Sequence, residues 1–400
     1  MNPRLASLQT YPFQKLAKLH QGCNPPAGLS RIALSIGAPK HAAPGAALAA
    51  MRDQLHTLAH YPSIKGEPGL RNAMANWANK RFGLVSAPLD PEQDILPVAG
   101  TREALFSFAQ AVVDRSDQQR PVIIMPNPFY QIYEGAALLA GAEPWFLNCT
   151  AQTHYRMDFS AVPSDVWART QMVYLCTPAN PTGAVMSENE LQDLITLSLE
   201  HDFIIASDEC YSEIYFDEQR PPPGLLQVAA RLGIKNYKRC IVFHSLSKRS
   251  NLPGLRSGFV AGDRKILVDY FQYRTYHGST LSPPVQAASI VAWNDEAHVA
   301  ANREQYRKKF VAILDILGDV LDVQRPEAGF YLWPRTPVSD TEFARGLYDQ
   351  QHVAILPGSY LSRQASGLNP GQNHVRMALV APVEECAEAG RRIRNFIETL

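Results

Sequence analysis

Hydrophobic and polar positions define two kinds of segment over residues 45–290. Longer amphipathic stretches predict helices over Pro68–Phe82, Arg102–Val113, Tyr130–Gly141, Glu188–His201 and Lys265–Tyr276. Short β-branched or aromatic runs between them predict buried strands over Val122–Met125, Met172–Leu175, Phe203–Ala206 and Ile241–Phe243. Short buried strands that alternate with helices are typical of an α/β fold, in which a mainly parallel sheet is covered on both faces.

The pattern changes near residue 290. A long helix over about Glu296–Val323 precedes three short apolar segments and a last helix from Pro382; the segments are Gly329–Trp333, Val353–Leu356 and His374–Val380. Since single cores stop growing at about 250–300 residues, a chain of 400 residues is expected to divide. We predict a large three-layer αβα domain over 45–290 and a small α+β domain over 291–400. Residues 1–44 form an N-terminal arm and part of the small domain.

Charge and cysteine spacing exclude several classes of protein. Lys plus Arg equals Asp plus Glu, at 38 each, so no net field favours nucleic acid or an anionic membrane. Six cysteines without C-x-x-C pairs predict reduced thiols, with neither a zinc site nor a disulfide framework. There is no apolar signal core and no apolar run of about 20 residues. We therefore expect a soluble, cytoplasmic protein without a metal.

Distinctive polar residues follow several predicted strands directly. In open α/β sheets, ligands bind at the carboxyl ends of the strands, so these residues are expected to meet at one rim. Taken singly, each has a structural explanation: a solvated surface lysine, a capping aspartate, a turn, or a helix N-cap. Their occurrence together favours a ligand site. The segments are Thr177–Gly183, Asp208–Tyr211, Ser245–Lys248, Pro253–Gly258 and, before a helix, Gly100–Arg102.

These motifs resemble those of the fold-type I enzymes that use pyridoxal 5′-phosphate (PLP), specifically the class I/II aminotransferases. The resemblance spans nearly the whole chain, and its most specific part is Ser-x-Ser-Lys248 followed by Arg256-x-Gly, with Asn180-Pro-Thr-Gly and Asp208-x-x-Tyr211 upstream. It implies that Lys248 holds PLP as a Schiff base and later moves the substrate proton. Asp208 would keep the ring nitrogen protonated, as a carboxylate favours a neighbouring cation.

The resemblance also implies roles around the rest of the cofactor and substrate. Asn180 and Tyr211 would hydrogen-bond the ring hydroxyl oxygen. Tyr130, or in a register displaced by one residue Phe129, would stack on one ring face, with Cys210 against the other. Arg376 would grip the substrate α-carboxylate, with Gly37 beside it; the alternative is a surface arginine on an edge strand. The phosphate would be bound by Gly100, Thr101, Arg102, Ser245, Ser247, Arg256 and, from the neighbouring subunit of a homodimer, Tyr61.

The reaction implied is transfer of an amino group between glutamate/2-oxoglutarate and an amino acid or 2-oxo acid by a ping-pong mechanism. The stretches Tyr61–Leu70 and Ser247–Arg256 look most like bacterial succinyldiaminopimelate aminotransferases, which serve lysine and diaminopimelate biosynthesis. An aspartate- or aromatic/kynurenine-type specificity is the next interpretation, and a carbon–sulfur β-lyase shares every motif. A regulator with an aminotransferase-like domain would need an additional basic DNA-binding segment. The resemblance places distal substrate contacts in the segment Tyr273–Ser282, partly from the second subunit. Arg274 and His277 are its candidates, although a helix-end cation or a loop histidine would also explain them, and Arg102 and Arg249 are further candidates.

Overall fold

The structure is a computed structural model that describes residues 1–116 and 119–400. These residues form fourteen α-helices: α1 (Pro12–Leu19), α2 (Gly45–Asp53), α3 (Pro68–Arg81), α4 (Thr101–Val112), α5 (Gln131–Ala140), α6 (Ser164–Trp167), α7 (Glu188–His201), α8 (Leu225–Arg231), α9 (Leu246–Arg249), α10 (Arg264–His277), α11 (Pro283–Asn294), α12 (Ala297–Leu317), α13 (Asp340–Gln351) and α14 (Val383–Ile397). Short 3₁₀ helices occur at Pro3–Ser7, Leu55–Ala59, Ala151–Thr153, Phe159–Ala161, Lys235–Tyr237, Pro253–Leu255 and Gly358–Tyr360.

The described residues also form twelve strands in three sheets. They are β1 (Ile32–Ala33), β2 (Ile95–Val98), β3 (Val122–Asn127), β4 (Glu143–Asn148), β5 (Thr170–Cys176), β6 (Ile204–Asp208), β7 (Cys240–Ser245), β8 (Gly258–Gly262), β9 (Tyr331–Leu332), β10 (Val353–Ala354), β11 (Leu356–Pro357) and β12 (Val375–Ala378). The largest sheet has the order β2-β8-β7-β6-β5-β3-β4. Six strands of that sheet run in one direction, and β8 runs in the opposite direction between β2 and β7. The α/β fold with a mainly parallel sheet is therefore confirmed.

The register of the central strands places the predicted ligand residues side by side. Cys176, the last residue of β5, pairs with Asp208 at the end of β6, and Asp208 in turn pairs with Phe243 of β7. Because parallel strands end at the same edge of the sheet, the loops that follow them converge there. Apolar clusters cover both faces of this sheet, which leaves its carboxyl edge as the place for polar chemistry.

A separate apolar cluster lies beside the two smaller sheets. It joins Ile32 and Leu34 to α12, α13 and α14, and β1 pairs with β10 while β11, β12 and β9 form an antiparallel sheet. The N-terminal segment therefore packs with C-terminal elements. The domain limits at residues 44 and 290 stay a prediction; α11 continues to Asn294 and contacts α2 and α3.

All the predicted helices and strands of residues 45–290 are present, with ends displaced by at most two residues. Three strands of the large sheet, β2, β4 and β8, were not predicted from the pattern; β4 is a half-buried edge strand, which has a weak hydrophobic signal. The long helix expected to reach Val323 ends at Leu317, where the Gly318 N–H bonds the Leu314 carbonyl. The segment Val353–Leu356 is also split, because Val353–Ala354 pairs with β1 and Leu356 with β12.

Within the described ranges, no helix is long and apolar enough to cross a lipid bilayer. No cluster of three or more side chains suited to a metal ion lies there either, and the six cysteines are unpaired.

Candidate active site

A cavity of about 470 Å³ opens at the carboxyl edge of the large sheet. The loops after β5, β6 and β7, the first turn of α4 and residues of α1, β11 and β12 surround it. Nearly all the predicted site residues line it: Gly37, Thr101, Arg102, Tyr130, Asn180, Asp208, Cys210, Tyr211, Ser245, Ser247, Lys248, Arg256 and Arg376. The rim predicted from the strand ends is thus a single concave site.

Asp208 is a buried carboxylate with two oriented donors. The Tyr133 hydroxyl donates to Oδ2 at 2.6 Å, and the Cys210 main-chain N–H donates to Oδ1 at 3.3 Å. Burial raises the pKa of Asp208, and the hydrogen bonds from Cys210 and Tyr133 oppose that shift. A cationic group in the cavity would therefore stabilise the carboxylate form, and a protonated ring nitrogen has the required charge. Tyr133 was missed from the sequence, although it lies on the helix that follows Tyr130.

Lys248 lies on α9, the short helix that directly follows β7. Its Nζ donates to the Gly37 carbonyl and lies 5.4 Å from the centroid of the Phe330 ring. Burial lowers the pKa of Lys248 to about 8, the positive charges of Arg376 and Arg256 contribute, and Cys210 and Asp208 oppose the shift. The neutral fraction of the amine near physiological pH is therefore larger than that of an ordinary lysine, and a nucleophile or a base reacts in the neutral form.

Hydroxyls, a helix N-terminus and an arginine form an anion-binding cradle in the same cavity. Thr101 begins α4, whose first N–H groups lack partners within the helix. The Arg256 guanidinium packs against Gly100, where a Cβ atom would clash with it. Ser245 Oγ lies 3.0 Å from Ser247 Oγ. These donors suit a phosphate group.

Arg376 on β12 faces the same cavity. Its Nη1 donates to Asn180 Oδ1 at 3.0 Å and its Nη2 to the Ser35 carbonyl at 2.8 Å. The buried Nε finds no hydrogen-bond partner within the described part of the chain. The guanidinium also lies 4.6 Å from the centroid of the Tyr331 ring. This anchored cation with spare donor capacity is suited to a carboxylate.

Tyr331, on β9, is a cavity residue that the sequence did not reveal. Its hydroxyl lies 2.9 Å from that of Tyr211, and a Cβ atom at position 37 would clash with its phenol group. Gly37 is therefore needed for the close approach of this tyrosine. An aromatic residue in a two-residue strand has no distinctive sequence signal, since most such residues are core.

Three of the proposed distal substrate contacts do not line this chain's cavity. The burial and pairing of Arg274 and Arg249 argue against those two, whereas a contact of His277 with a neighbouring subunit stays a prediction. Arg274 is buried and pairs with Glu103 at 2.8 Å. The Arg249 guanidinium packs on the rings of Trp77 and Trp293, 5.3 and 5.0 Å from their centroids, and pairs with Glu296. Both guanidinium groups are occupied by acidic partners that are distant in sequence. His277 is exposed at the end of α10, stacked on Tyr273.

Arg102 alone of those four candidates lines the cavity, and Tyr61 does not line it. Tyr61 is fully exposed, at 103% of its reference area, in a separate surface hollow with Pro283 and Ile290. Its predicted contact with a neighbouring subunit stays a prediction. Tyr130 lines the cavity, whereas Phe129 packs on Phe146 in the core.

Replacing Tyr133 by phenylalanine is expected to lower kcat about tenfold, since hydrogen bonds to charged groups contribute about 1.5–3 kcal/mol and the Cys210 N–H remains. Tyr174→Phe is the matched control: that ring stacks on Tyr133, but its hydroxyl bonds the Leu105 carbonyl. Steady-state rates at saturating substrate test this. Equal losses in the two variants would show that the bond to Asp208 has no specific importance.

Three groups surround one cavity: a lysine with a lowered pKa directly after a strand, a buried carboxylate and an anion cradle. Together they suit a phosphorylated aromatic aldehyde with a cationic ring. These donors fit PLP, whose carbonyl, ring nitrogen and phosphate need those three groups respectively. Residues 30–393 match the family Aminotransferase class I and II. The chain belongs to this family, and the protein is a PLP-dependent aminotransferase.

Known relatives match over nearly the full chain. The crystal structure of an aminotransferase from Neisseria meningitidis Z2491 is 46% identical, with a TM-score of 0.94 and 100% of both chains covered. The LL-diaminopimelate aminotransferase of Desulforudis audaxviator (strain MP104C) is 30% identical over 98% of this chain and 97% of its own. A probable N-succinyldiaminopimelate aminotransferase from Thermus thermophilus is 27% identical, with a TM-score of 0.84 and coverage of 96% and 99%.

Proposed function

We propose that this aminotransferase exchanges an amino group between glutamate/2-oxoglutarate and N-succinyl-LL-2,6-diaminopimelate by a ping-pong mechanism. The observation that carries this proposal is the charge of the cavity. Arg102, Arg256 and Arg376 line it, and Asp208 is its only carboxylate among the described residues. One arginine is needed for the cofactor phosphate and one for the substrate α-carboxylate. The third is then available for a second substrate carboxylate, as found in both proposed substrates.

PLP, when bound, supplies the electron sink for the charge left by loss of the substrate α-proton. In our proposal Lys248 binds the cofactor covalently and Asp208 holds its ring nitrogen protonated. Asn180 and Tyr211 would donate to the ring hydroxyl oxygen, and Tyr130 and Cys210 would pack on the ring. The phosphate would be held by Gly100, Thr101, the main-chain N–H of Arg102, Ser245, Ser247, Arg256 and the neighbouring subunit's copy of Tyr61, which leaves the Arg102 side chain for the substrate.

The substrate is oriented by Arg376, with Gly37 beside its carboxylate. A clamped carboxylate fixes the direction of the Cα–H bond, and this orientation selects deprotonation over other bond cleavages. The Lys248 amine, when it is not bound to the cofactor, would take and move the proton of the substrate Cα. Its lowered pKa suits this task because the best general bases have pKa values near the working pH.

The mouth of the cavity supports a long substrate. Arg102 lies there with Tyr11, whose hydroxyl it contacts, and Phe13 and the half-exposed Ile36 add apolar surface. Such a mouth suits a methylene chain that ends in a carboxylate. The names of two relatives, an LL-diaminopimelate aminotransferase and a probable N-succinyldiaminopimelate aminotransferase, support a diaminopimelate-type substrate. They leave acylated and free forms as the alternatives to compare.

A panel of amino donors tests the proposal. Purified enzyme is supplied with 2-oxoglutarate and N-succinyl-LL-2,6-diaminopimelate, LL-2,6-diaminopimelate, aspartate, phenylalanine, kynurenine or cystathionine, and glutamate formation is measured. We expect the highest kcat/KM with the succinylated donor. Faster turnover of free LL-2,6-diaminopimelate, aspartate or an aromatic donor would contradict the proposal and identify that donor as the preferred substrate. Pyruvate and ammonia from cystathionine would instead indicate a β-lyase.

Replacing Arg102 by alanine is expected to raise KM for dicarboxylic substrates about 10- to 100-fold, because a hydrogen bond between charged groups contributes about 1.5–3 kcal/mol. The KM of a monocarboxylic donor should change little. Arg102→Lys should restore part of the affinity, since lysine keeps the charge but not the fork. Arg391→Ala, at an exposed arginine on α14, is the surface control. An equal rise in KM for both classes of donor would assign Arg102 to the cofactor alone.

We also propose a homodimer with shared active sites. Besides Tyr61, the apolar side chains of Leu48, Leu55 and Leu58 are exposed on α2 and the 3₁₀ helix after it. Exposed apolar patches of this kind mark interfaces. Light scattering should give twice the chain mass; a fully active monomer would contradict the proposal.

A further inference from the structure

Polar contacts connect the loop that carries Gly37 to two buried side chains of α12. His41, in the same loop, has its Nδ1 2.6 Å from Asn302 Oδ1 and its Nε2 2.5 Å from Lys309 Nζ. Asn302 and Lys309 both belong to α12 and are only 4% and 1% exposed. Because the amide oxygen accepts, His41 Nδ1 carries the proton, and Nε2 accepts from Lys309. The three side chains therefore require a neutral His41.

These contacts connect to Lys248 at two points, its main chain and its amine. Asn302 Nδ2 donates to the Lys248 carbonyl at 3.3 Å and to the Arg249 carbonyl at 3.4 Å. At its other end, Lys248 Nζ donates to the Gly37 carbonyl. The Lys248 amine is thus linked to the Lys248 main chain through the Gly37 loop, His41 and Asn302.

The charge of Lys309 affects these contacts, because its ammonium group donates to His41 Nε2. Its Nζ also donates to the Val380 carbonyl at 3.2 Å and lies 4.8 Å from the centroid of the Tyr306 ring. No carboxylate within residues 1–116 and 119–400 pairs with it. Burial lowers the pKa of Lys309 to about 8, and of the nearby groups Cys386 and Glu385 oppose the shift while Lys40 adds to it.

We propose that His41 and Asn302, supported by Lys309, are positioning residues for the aminotransferase reaction. They hold the Gly37 loop and the Lys248 main chain at a set separation, so that the amine reaches the reacting carbon. The inference rests on the proposed role of Lys248. It does not depend on which amino donor the enzyme prefers.

The test compares His41→Leu, which removes both contacts, with His41→Asn, which keeps a donor for Asn302. His20→Leu is the control, a half-buried histidine stacked on Tyr348. With L-glutamate as donor to the PLP-loaded enzyme, kcat of His41→Leu should fall about 10- to 100-fold, since a displacement of about 1 Å can cost about 100-fold. KM should change less than about threefold, as Arg376 and Arg102 are untouched. His41→Asn should recover most of kcat.

Lys309→Met provides a second readout. Burial lowers the pKa of His41, the Asn302 hydrogen bond opposes this and the Lys309 charge adds to it. Removing that charge should move the acid limb of the kcat profile to higher pH, and His41→Asn should lack the limb. The absorbance of the bound cofactor is measured over the same pH range and should show the same shift. Unchanged limbs, or equal losses in His41→Leu and His41→Asn, would overturn the inference, whereas a wild type that binds PLP elsewhere than on Lys248 would overturn the proposed function.

Discussion

Lys248→Ala is expected to lower transamination about a thousandfold or more. The substitution removes both the group that binds the cofactor covalently and the proposed base, and general acid–base catalysis alone contributes about 100- to 10,000-fold. The wild-type protein should be yellow, and borohydride should attach the cofactor irreversibly to Lys248. Mass spectrometry of the labelled peptide locates the attachment. A cofactor that is still reduced onto the Lys248→Ala protein would refute the assignment.

The pH dependence of cofactor uptake gives an independent check of Lys248. A neutral amine is the reactive form, and the pKa of Lys248 is lowered to about 8. The rate of PLP capture by cofactor-free protein should therefore rise with pH up to about 8 and then level off. An ordinary lysine would continue to gain up to about pH 10.4. Lys238→Ala, at an exposed lysine, should leave the profile unchanged.

Asp208→Asn is expected to keep the cofactor but lower kcat about 100-fold or more. The amide preserves the shape of the side chain: its oxygen can accept from the Cys210 N–H, and its NH₂ group can donate to the Tyr133 hydroxyl. It has no charge to hold the ring nitrogen protonated. An opposite charge at contact distance shifts a pKa by about 1–3 units, and each unit is about 1.4 kcal/mol. Asp208→Ala should lose most turnover as well, with weaker PLP binding.

The control for this substitution is Asp340→Asn, at a buried aspartate that accepts from the Ser359 main chain at 2.9 Å, outside the cavity. The PLP content is measured by absorbance after gel filtration, and kcat at saturating donor. Near-normal turnover of Asp208→Asn with full PLP content would refute the role of the carboxylate. Full loss of PLP would show that Asp208 acts in binding first.

Much of the fold and site was predictable because its signals are local. Short buried runs such as Val122–Met125 define strands wherever they occur, and residues directly after a parallel strand must lie at one edge of the sheet. Lys248, Asp208 and Asn180 were found in this way. The edge strand β4 and the two-residue strands of the smaller sheets lack such a pattern, because their residues are half-buried or too few to show a period.

From the sequence alone, the motifs implied the family and the cofactor through their resemblance to the class I/II aminotransferases. The pattern of buried strands placed the polar residues that follow them at one edge of the sheet, because parallel strands end at the same edge. Only the tertiary structure decided which arginines are available to a ligand. Arg274 and Arg249 are matched by Glu103 and Glu296, while Arg102 stays at the cavity mouth. A buried charge is stable only with its partner, and partners far apart in sequence are chosen by packing. The same long-range packing brought Tyr133 to Asp208, Tyr331 to Tyr211, and His41 behind Lys248.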